Sequence, residues 1–267
     1  MATKTMSGDA AVGEDLQPLC EFMVEYALKL LAYGATTIRI EKNVERIAAC
    51  YGVKADVTIM PLHVMMTLWD KEHAHSYTMS ERINEAGVDF DKNTLLSKLS
   101  WEIHDTRISL GEAQRKFQAI VARKRLDSTV VLILTGLANA SFCRIFGGDV
   151  VSMLIVFVAT VNGFYLKNKL HGELHWDLRV VTVAAALVST IIASSGYVFH
   201  LGATPDIALG TGVLFLVPGV PFLNSMSDLI QGHYVCGISR FIHASIITIC
   251  LSAGLCLGYL IINIYVV

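Results

Sequence analysis

The chain has 267 residues, of which 54% are hydrophobic and only 16% charged, with a mean hydropathy of +0.54. Soluble domains carry about 25% charged residues, so the composition excludes an ordinary water-soluble globule. A formal net charge of −2 gives no nucleic-acid signal, since no segment needs a basic face to explain it.

The charge is unevenly spread: residues 1–128 hold 34 of the 44 Asp, Glu, Lys and Arg residues, and residues 129–267 hold the other ten. This predicts a soluble N-terminal half joined to a membrane-embedded C-terminal half. Residues 1–18 lack both a basic n-region and an apolar h-region, so they predict a disordered tail rather than a cleaved signal peptide. The six cysteines form no CxxC pair, which points to reduced thiols packed as small residues. No metal or cofactor is predicted.

From Leu19 the apolar residues Leu19, Phe22, Met23, Tyr26, Leu30 and Leu31 recur at helical spacing, with Glu21, Glu25 and Lys29 on the other side. Gly34 interrupts, a second helix runs through Ile38, Val44, Ile47 and Ala48, and Gly52 is the expected stop. Strand-like runs follow at Ala55–Met60, His63–Trp69 and His75–Met79, with turns at Pro61-Leu62 and Asp70-Lys71-Glu72. His73 and His75 alternate and would share a face of the last run. A loop is expected at Asn84–Phe90, then helices from Asp91 through Ile103 and from Leu110 to Arg125. Residues 19–128 are thus expected to form a small cytoplasmic α+β domain.

Five apolar segments then predict five transmembrane helices over residues 129–267: Thr129–Phe146, Val150–Leu166, Leu178–Leu201, Ile207–Ile230 and Phe241–Val267. Lys and Arg concentrate before the first span (Arg115 to Arg125), between the second and third (Lys167, Lys169, Arg179) and before the fifth (Arg240). By the positive-inside rule the soluble domain is cytoplasmic and, after five spans, the C-terminus lies outside.

The fourth segment is the expected site. Pro218-Gly219-Val220-Pro221 breaks it, because proline removes a backbone donor and clashes with the preceding turn. In a bilayer such a break is tolerated only where protein or a watery cavity covers the freed groups, and discontinuous helices often build a transporter's midplane site. Asp228 follows the break and is the candidate proton carrier or substrate partner, since intramembrane carboxylates usually serve a pathway. The competing reading places Asp228 at the cytoplasmic interface with Gln231, Gly232 and His233 already in water. Asn224, Ser225 and Ser227 are candidate polar contacts, or interhelical hydrogen-bonders. The helix N-terminus expected after Pro221 would suit an anionic group. His171-Gly-Glu-Leu-His175 lacks the HExxH order and reads as a solvated loop. No P-loop and no hydrolytic constellation is present, so nothing predicts an enzyme. Gly254 and Gly258 form a GxxxG that permits close helix contact.

Four stretches carry a family resemblance: Tyr33-Gly-Ala-Thr-Thr-Ile-Arg-Ile-Glu41, Ile108-Ser-Leu-Gly-Glu-Ala-Gln114, Gly136-Leu-Ala-Asn-Ala-Ser-Phe142 leading to Phe146-Gly-Gly148, and Val217-Pro-Gly-Val-Pro-Phe-Leu-Asn224 with Asp228 and Gly232. In these the chain resembles the N-terminal half of the threonine/serine exporter (ThrE) family, which also occurs as the separate YjjP-like subunit of a two-component form. The resemblance implies a secondary exporter of small polar metabolites driven by an ion gradient, with no enzymatic step. It implies threonine/serine export in the long form and succinate export in the two-component form, in the bacterial inner membrane as a hetero-oligomer. The latter uses a small YjjB-like second membrane subunit. On this resemblance the chain is expected to end after the fifth span, without the long form's second membrane half. On that reading the site comprises Asp228, Asn224, Ser225, Pro218, Gly219 and Pro221. The alternative is a membrane-anchored regulatory or metabolite-sensing subunit that does not itself transport. Arg39 and Glu41 read as structural, an ion pair on the domain surface.

Overall fold

The computed structural model describes residues 7–72, 74–83, 87–124 and 126–266. Contacts divide the chain into two compact units: one comprises residues up to Lys124 together with Val220–Phe241, the other Arg125–Gly219 with Ile242–Val267. His73, Arg125 and part of the expected Asn84–Phe90 loop lie outside the described residues.

The N-terminal unit is built around α1 (Ser7–Ala32), so a helix covers part of the stretch read as a tail. Between Leu19 and Tyr33 almost every apolar side chain is buried, with Cys20, Met23, Val24, Tyr26, Ala27 and Leu30 fully so. A helix apolar on nearly all sides belongs at the centre of its domain, and α1 packs against both the sheet and the other helices. The chain turns at Tyr33–Thr36 into α2 (Thr37–Tyr51), which ends at Gly52 in a left-handed cap. Three antiparallel strands follow in sequence order: β1 (Lys54–Ile59), β2 (His63–Trp69) and β3 (Ser76–Arg82). Val57 pairs with Met66, and Met66 in turn with Met79. Strand alternation sends Val64, Met66 and Leu68 of β2 into the core. Helices α3 (Phe90–Thr106) and α4 (Leu110–Val121) close the unit, each with a side-chain N-cap, Asp89 and Ser109. Phe22 and Phe117 meet edge-to-face at 5.7 Å, and the Tyr26 hydroxyl donates to the Leu96 carbonyl at 2.8 Å. The third strand sits later than its apolar run suggested and extends to Arg82, because pairing with β2 outweighs the polar character of Ser80-Glu81-Arg82.

The second unit is helical. Its members are α5 (Ser128–Ile145), α6 (Val150–Asn168), α7 (Leu178–Ala193), the short α8 (Ser195–Val198) and α9 (Pro205–Thr211). The main part of α11 (Tyr234–Val266) joins them. Among the described residues four helices are long and apolar enough to cross a membrane, or five if Pro205–Leu216 and Gly219–Ile230 together form one broken span. Their outward faces are apolar: Ile133, Leu134, Leu137, Leu154, Val158 and Ile249 are all exposed, a surface that fits hydrocarbon rather than water. Polar groups turn inward and find partners. Asn139 donates to the Thr160 hydroxyl at 2.6 Å and to the Thr211 carbonyl at 3.1 Å, and Ser189 donates to the Ala159 carbonyl. Near one end Asp149 caps α6 and accepts hydrogen bonds from Ser152 N, Ala203 N and the Thr204 hydroxyl. These bonds hold its carboxyl well below the usual carboxylate range. The GxxxG glycines of α11 press on α7: a Cβ at Gly254 would meet the Val183 carbonyl and Ala186, and one at Gly258 would come within 2.8 Å of Thr190.

Candidate functional site

The break in the fourth apolar segment is sharper and earlier than the two prolines suggested. A 3₁₀ turn at Leu214–Leu216 ends in extended backbone at Val217, and α10 (Gly219–Ile230) starts immediately after Pro218. Pro221 lies inside the first turn of α10, not before it. The first amides of a helix have no intrahelical acceptor, so proline is tolerated there. The helix N-terminus expected after Pro221 is therefore at Gly219. In the membrane unit a cavity of about 390 Å³ adjoins this break, lined by Asn139, Phe142, Phe146, Leu214, Phe215 and Val217 with Gly219 at its edge.

At its other end α10 stops at Gly232, whose φ of +86° is the left-handed conformation that ends helices. The amide of His233 then donates to the Asp228 carbonyl at 2.8 Å. This sharp turn folds α11 back along α10. Ser225, fully buried, donates to the Gly237 carbonyl at 2.7 Å, and Phe222 meets Phe241 edge-on at 5.7 Å. Gly237 allows the approach, since a Cβ there would lie 3.1 Å from the Leu229 amide nitrogen.

Within the N-terminal unit this hairpin is pinned to the start of α2. Asp228 is fully buried, and its Oδ1 accepts from the Thr37 amide at 3.0 Å. Thr36, the residue that would cap α2, makes no side-chain cap bond. A carboxylate from far along the chain supplies the acceptor instead, where the positive end of the helix dipole favours an anion. The second carboxylate oxygen, Oδ2, lies 2.9 Å from Nη1 of Arg240, a residue only 16% exposed. The contact is ionic without an N–H aimed along it, so both atoms keep unused hydrogen-bonding capacity, as does the Thr37 hydroxyl. Arg240 also donates through Nη2 to the Ala35 carbonyl at 3.2 Å. Asn224 donates to the Gly34 carbonyl at 2.8 Å, and the Cys236 thiol to the Ile59 carbonyl at 3.1 Å. His233 Nε2 sits 3.2 Å from Glu41 Oε2. Burial raises the Glu41 carboxyl above its ordinary value, with His233 opposing.

The residues singled out from sequence thus divide. Asp228, Asn224 and Ser225 come together around the start of α2 and the α10–α11 turn, with Pro221 on the same helix. Pro218 and Gly219 mark the break beside the membrane cavity. Arg39 and Glu41 do not pair with each other: Arg39 donates to Asn93 and Glu41 faces His233. On a helix, residues two apart point to different sides. In the sequence Arg240 marks orientation only, although Asp228 and Arg240 are the last two charged residues of the chain and the only ones after Asp206. That isolation was the available signal for their pairing. Thr37 contributes a backbone amide, which no side-chain pattern announces. Among the described residues no cluster of three or more His, Cys, Asp or Glu could hold a metal ion.

A multi-pass membrane protein with a broken apolar segment, inward polar contacts and a buried carboxylate has the parts of a transporter. The comparisons with known proteins agree. A family model described as "Putative threonine/serine exporter" (ThrE) matches residues 21–262, and the chain belongs to that family, which is one of transporters rather than enzymes. It is 25% identical over 255 residues to a "Probable succinate transporter subunit YjjP" of Klebsiella aerogenes, covering 93% of this chain and 95% of that one. It is 22% identical over 244 residues to the protein of the same name from Escherichia coli K12, covering 90% and 93%. No solved structure matches significantly.

Proposed function

We propose that the chain is one subunit of a secondary exporter that moves a small dicarboxylate such as succinate, or threonine or serine, across the bacterial inner membrane. The observation that carries this reading is the near full-length similarity to two chains named as succinate transporter subunits, within a family of exporters. The word subunit in those names supports a partner, and we assign that role to a small YjjB-like second membrane subunit. The distribution of Lys and Arg supports a cytoplasmic N-terminal unit and an external C-terminus.

The exporter is proton-coupled in this proposal, and Asp228 is the coupling residue. A proton on its carboxylate removes the anion facing Arg240 and weakens the acceptor for the Thr37 amide. The α10–α11 hairpin then loosens from α2, and the guanidinium becomes available to a substrate carboxylate. Asn224 and Ser225 hold the hairpin in register meanwhile. One observation favours the regulatory alternative: the Asp228 carboxylate is committed to α2 within the N-terminal unit.

The test is export from cells lacking the native system, supplied with this chain alone, the second subunit alone, or both. Succinate, threonine or serine accumulating in the medium only with both subunits is the expected result. Equal export with the second subunit alone would make this chain dispensable for transport and sink the proposal.

A further inference from the structure

The N-terminal unit carries a second polar site, separate from Asp228: a groove between α2 and α3 whose lining includes no acidic residue. The two helices run parallel, as successive cross-contacts show. Arg39 donates to Asn93 at 3.0 Å, Asn43 to Ser97 at 3.3 Å, and Arg46 to Ser100 at 2.6 Å. The three pairs are each 54 residues apart in sequence and advance together, and Ser100 also donates to Asn43, so a polar seam underlies the groove floor. Asn43, Asn93 and Ser100 are buried in that seam. They anchor the two guanidinium groups through neutral acceptors and leave both charges unneutralised.

Above the seam lies a groove of about 550 Å³, whose lining includes Arg39, Lys42, Arg46 and Lys98 with the hydroxyls of Thr94 and Ser97. None of these four cations is ion-paired with a described carboxylate, and no Asp or Glu lines the groove. Four converging cations repel one another unless an anion enters. At one end stands Trp101, 53% exposed, with the Arg46 guanidinium stacked 3.6 Å from its ring centre and His104 perpendicular at 6.3 Å. From Thr36 to Arg46 the α2 side of the groove is about 15 Å long, at ~1.5 Å per residue. A volume in this range is typical of small-molecule sites.

We propose that this groove binds a soluble nucleoside polyphosphate. Lys42, Lys98 and Arg39 take the phosphates, Thr94 and Ser97 donate to their oxygens, and the indole–guanidinium pair at the far end takes the base. The charge argues for phosphate over a dicarboxylate, which would leave two of the four cations unmatched. The ring argues for a nucleotide over bare polyphosphate. The site is distinct from the Asp228 cluster and does not depend on the transport reading.

Binding is read on the detergent-solubilised full chain, by calorimetry and tryptophan fluorescence, with magnesium-free ATP, tripolyphosphate, succinate and phosphatidylglycerol vesicles as probes. The expected result is saturable binding of ATP, weaker binding of tripolyphosphate and none of succinate. Lys42→Gln with Lys98→Gln should weaken ATP by about tenfold or more. Both lysines are exposed, so melting should be unchanged and confirm folding. Trp101→Leu should weaken ATP about tenfold while leaving tripolyphosphate as before. Absence of saturation with ATP in the millimolar range would overturn the proposal. So would ATP binding indifferent to the double lysine change, succinate binding as tightly as ATP, or binding only to anionic vesicles. Equal loss of ATP and tripolyphosphate in Trp101→Leu would overturn the nucleotide assignment.

Discussion

Asp228→Asn is the most informative single change to the buried pair. The amide keeps an oxygen that can accept from the Thr37 amide, so the cap on α2 is largely retained. It cannot match the charge of Arg240, whose side chain is only 16% exposed and whose Nη1 already lacks an aligned acceptor. Removing one partner of a buried ion pair costs about 3–5 kcal/mol, because the remaining charge stays desolvated. The partial exposure of Arg240 puts the expectation at the low end, about 3 kcal/mol, or a shift of about a hundredfold in the unfolding equilibrium of the N-terminal unit. Arg240→Gln alone should cost a comparable amount, since it strands the fully buried carboxylate. The double change should cost less than the sum of the two single changes, giving a coupling of about 1.5–3 kcal/mol in the cycle. The assay is denaturant or thermal unfolding of the full chain in detergent, followed through a tryptophan of the N-terminal unit. Single changes that each cost less than about 1 kcal/mol, or additive effects in the double change, would refute the reasoning that the pair is desolvated and mutually dependent.

Three further outcomes follow from the geometry. Burial raises the Glu41 carboxyl, so its contribution to stability is fully present below the unfolded value of about 4.3 and lost as pH rises through the folded value. Glu41→Gln should therefore melt no lower than the native chain at pH ~7.5, with any gain vanishing below about pH 4; a lower melting temperature confined to neutral pH would contradict this. Asp149 has the opposite sign: hydrogen bonds depress its carboxyl, so its contribution is present above about pH 4 and fades as pH falls. Asp149→Ala should lower the melting temperature at neutral pH, and the gap from the native chain should narrow under acid conditions. Gly254→Val forces a side chain into the Val183 carbonyl and Ala186 and should cost about 1–3 kcal/mol, whereas Gly111→Ala, with nothing within 4 Å, should be neutral or stabilising in the same melting assay.

The elements carrying strong periodicity were legible in the sequence. The helix through Leu19 and Leu30, the strand His63–Trp69 and the helices Val150–Asn168 and Leu178–Ala193 lie where apolar spacing or apolar runs placed them. The third strand shifted toward Arg82 because its register is set by pairing with β2, a long-range contact that local composition does not encode. The break at Pro218 was legible from proline chemistry, but its position relative to α10 was not, since a first-turn proline and a helix-breaking proline look alike in sequence. Asp228 stood out as a lone carboxylate in an apolar stretch. Its partners did not: one is a backbone amide 191 residues away and the other a guanidinium across a glycine turn. The segment Val220–Phe241 groups with the N-terminal unit, although its composition continues that of the apolar segments around it. Side-chain hydrogen bonds from Asn224 and Arg240 to Gly34 and Ala35 create that association, and their acceptors are main-chain carbonyls without residue identity.

The most direct measurement is flux in liposomes holding purified chain, with and without its second subunit, loaded with labelled succinate or threonine under an imposed proton gradient. The account predicts gradient-driven movement of one label only when both subunits are present, and its loss in Asp228→Asn protein that remains folded. Undiminished flux through this chain alone, or full flux with folded Asp228→Asn, would contradict it.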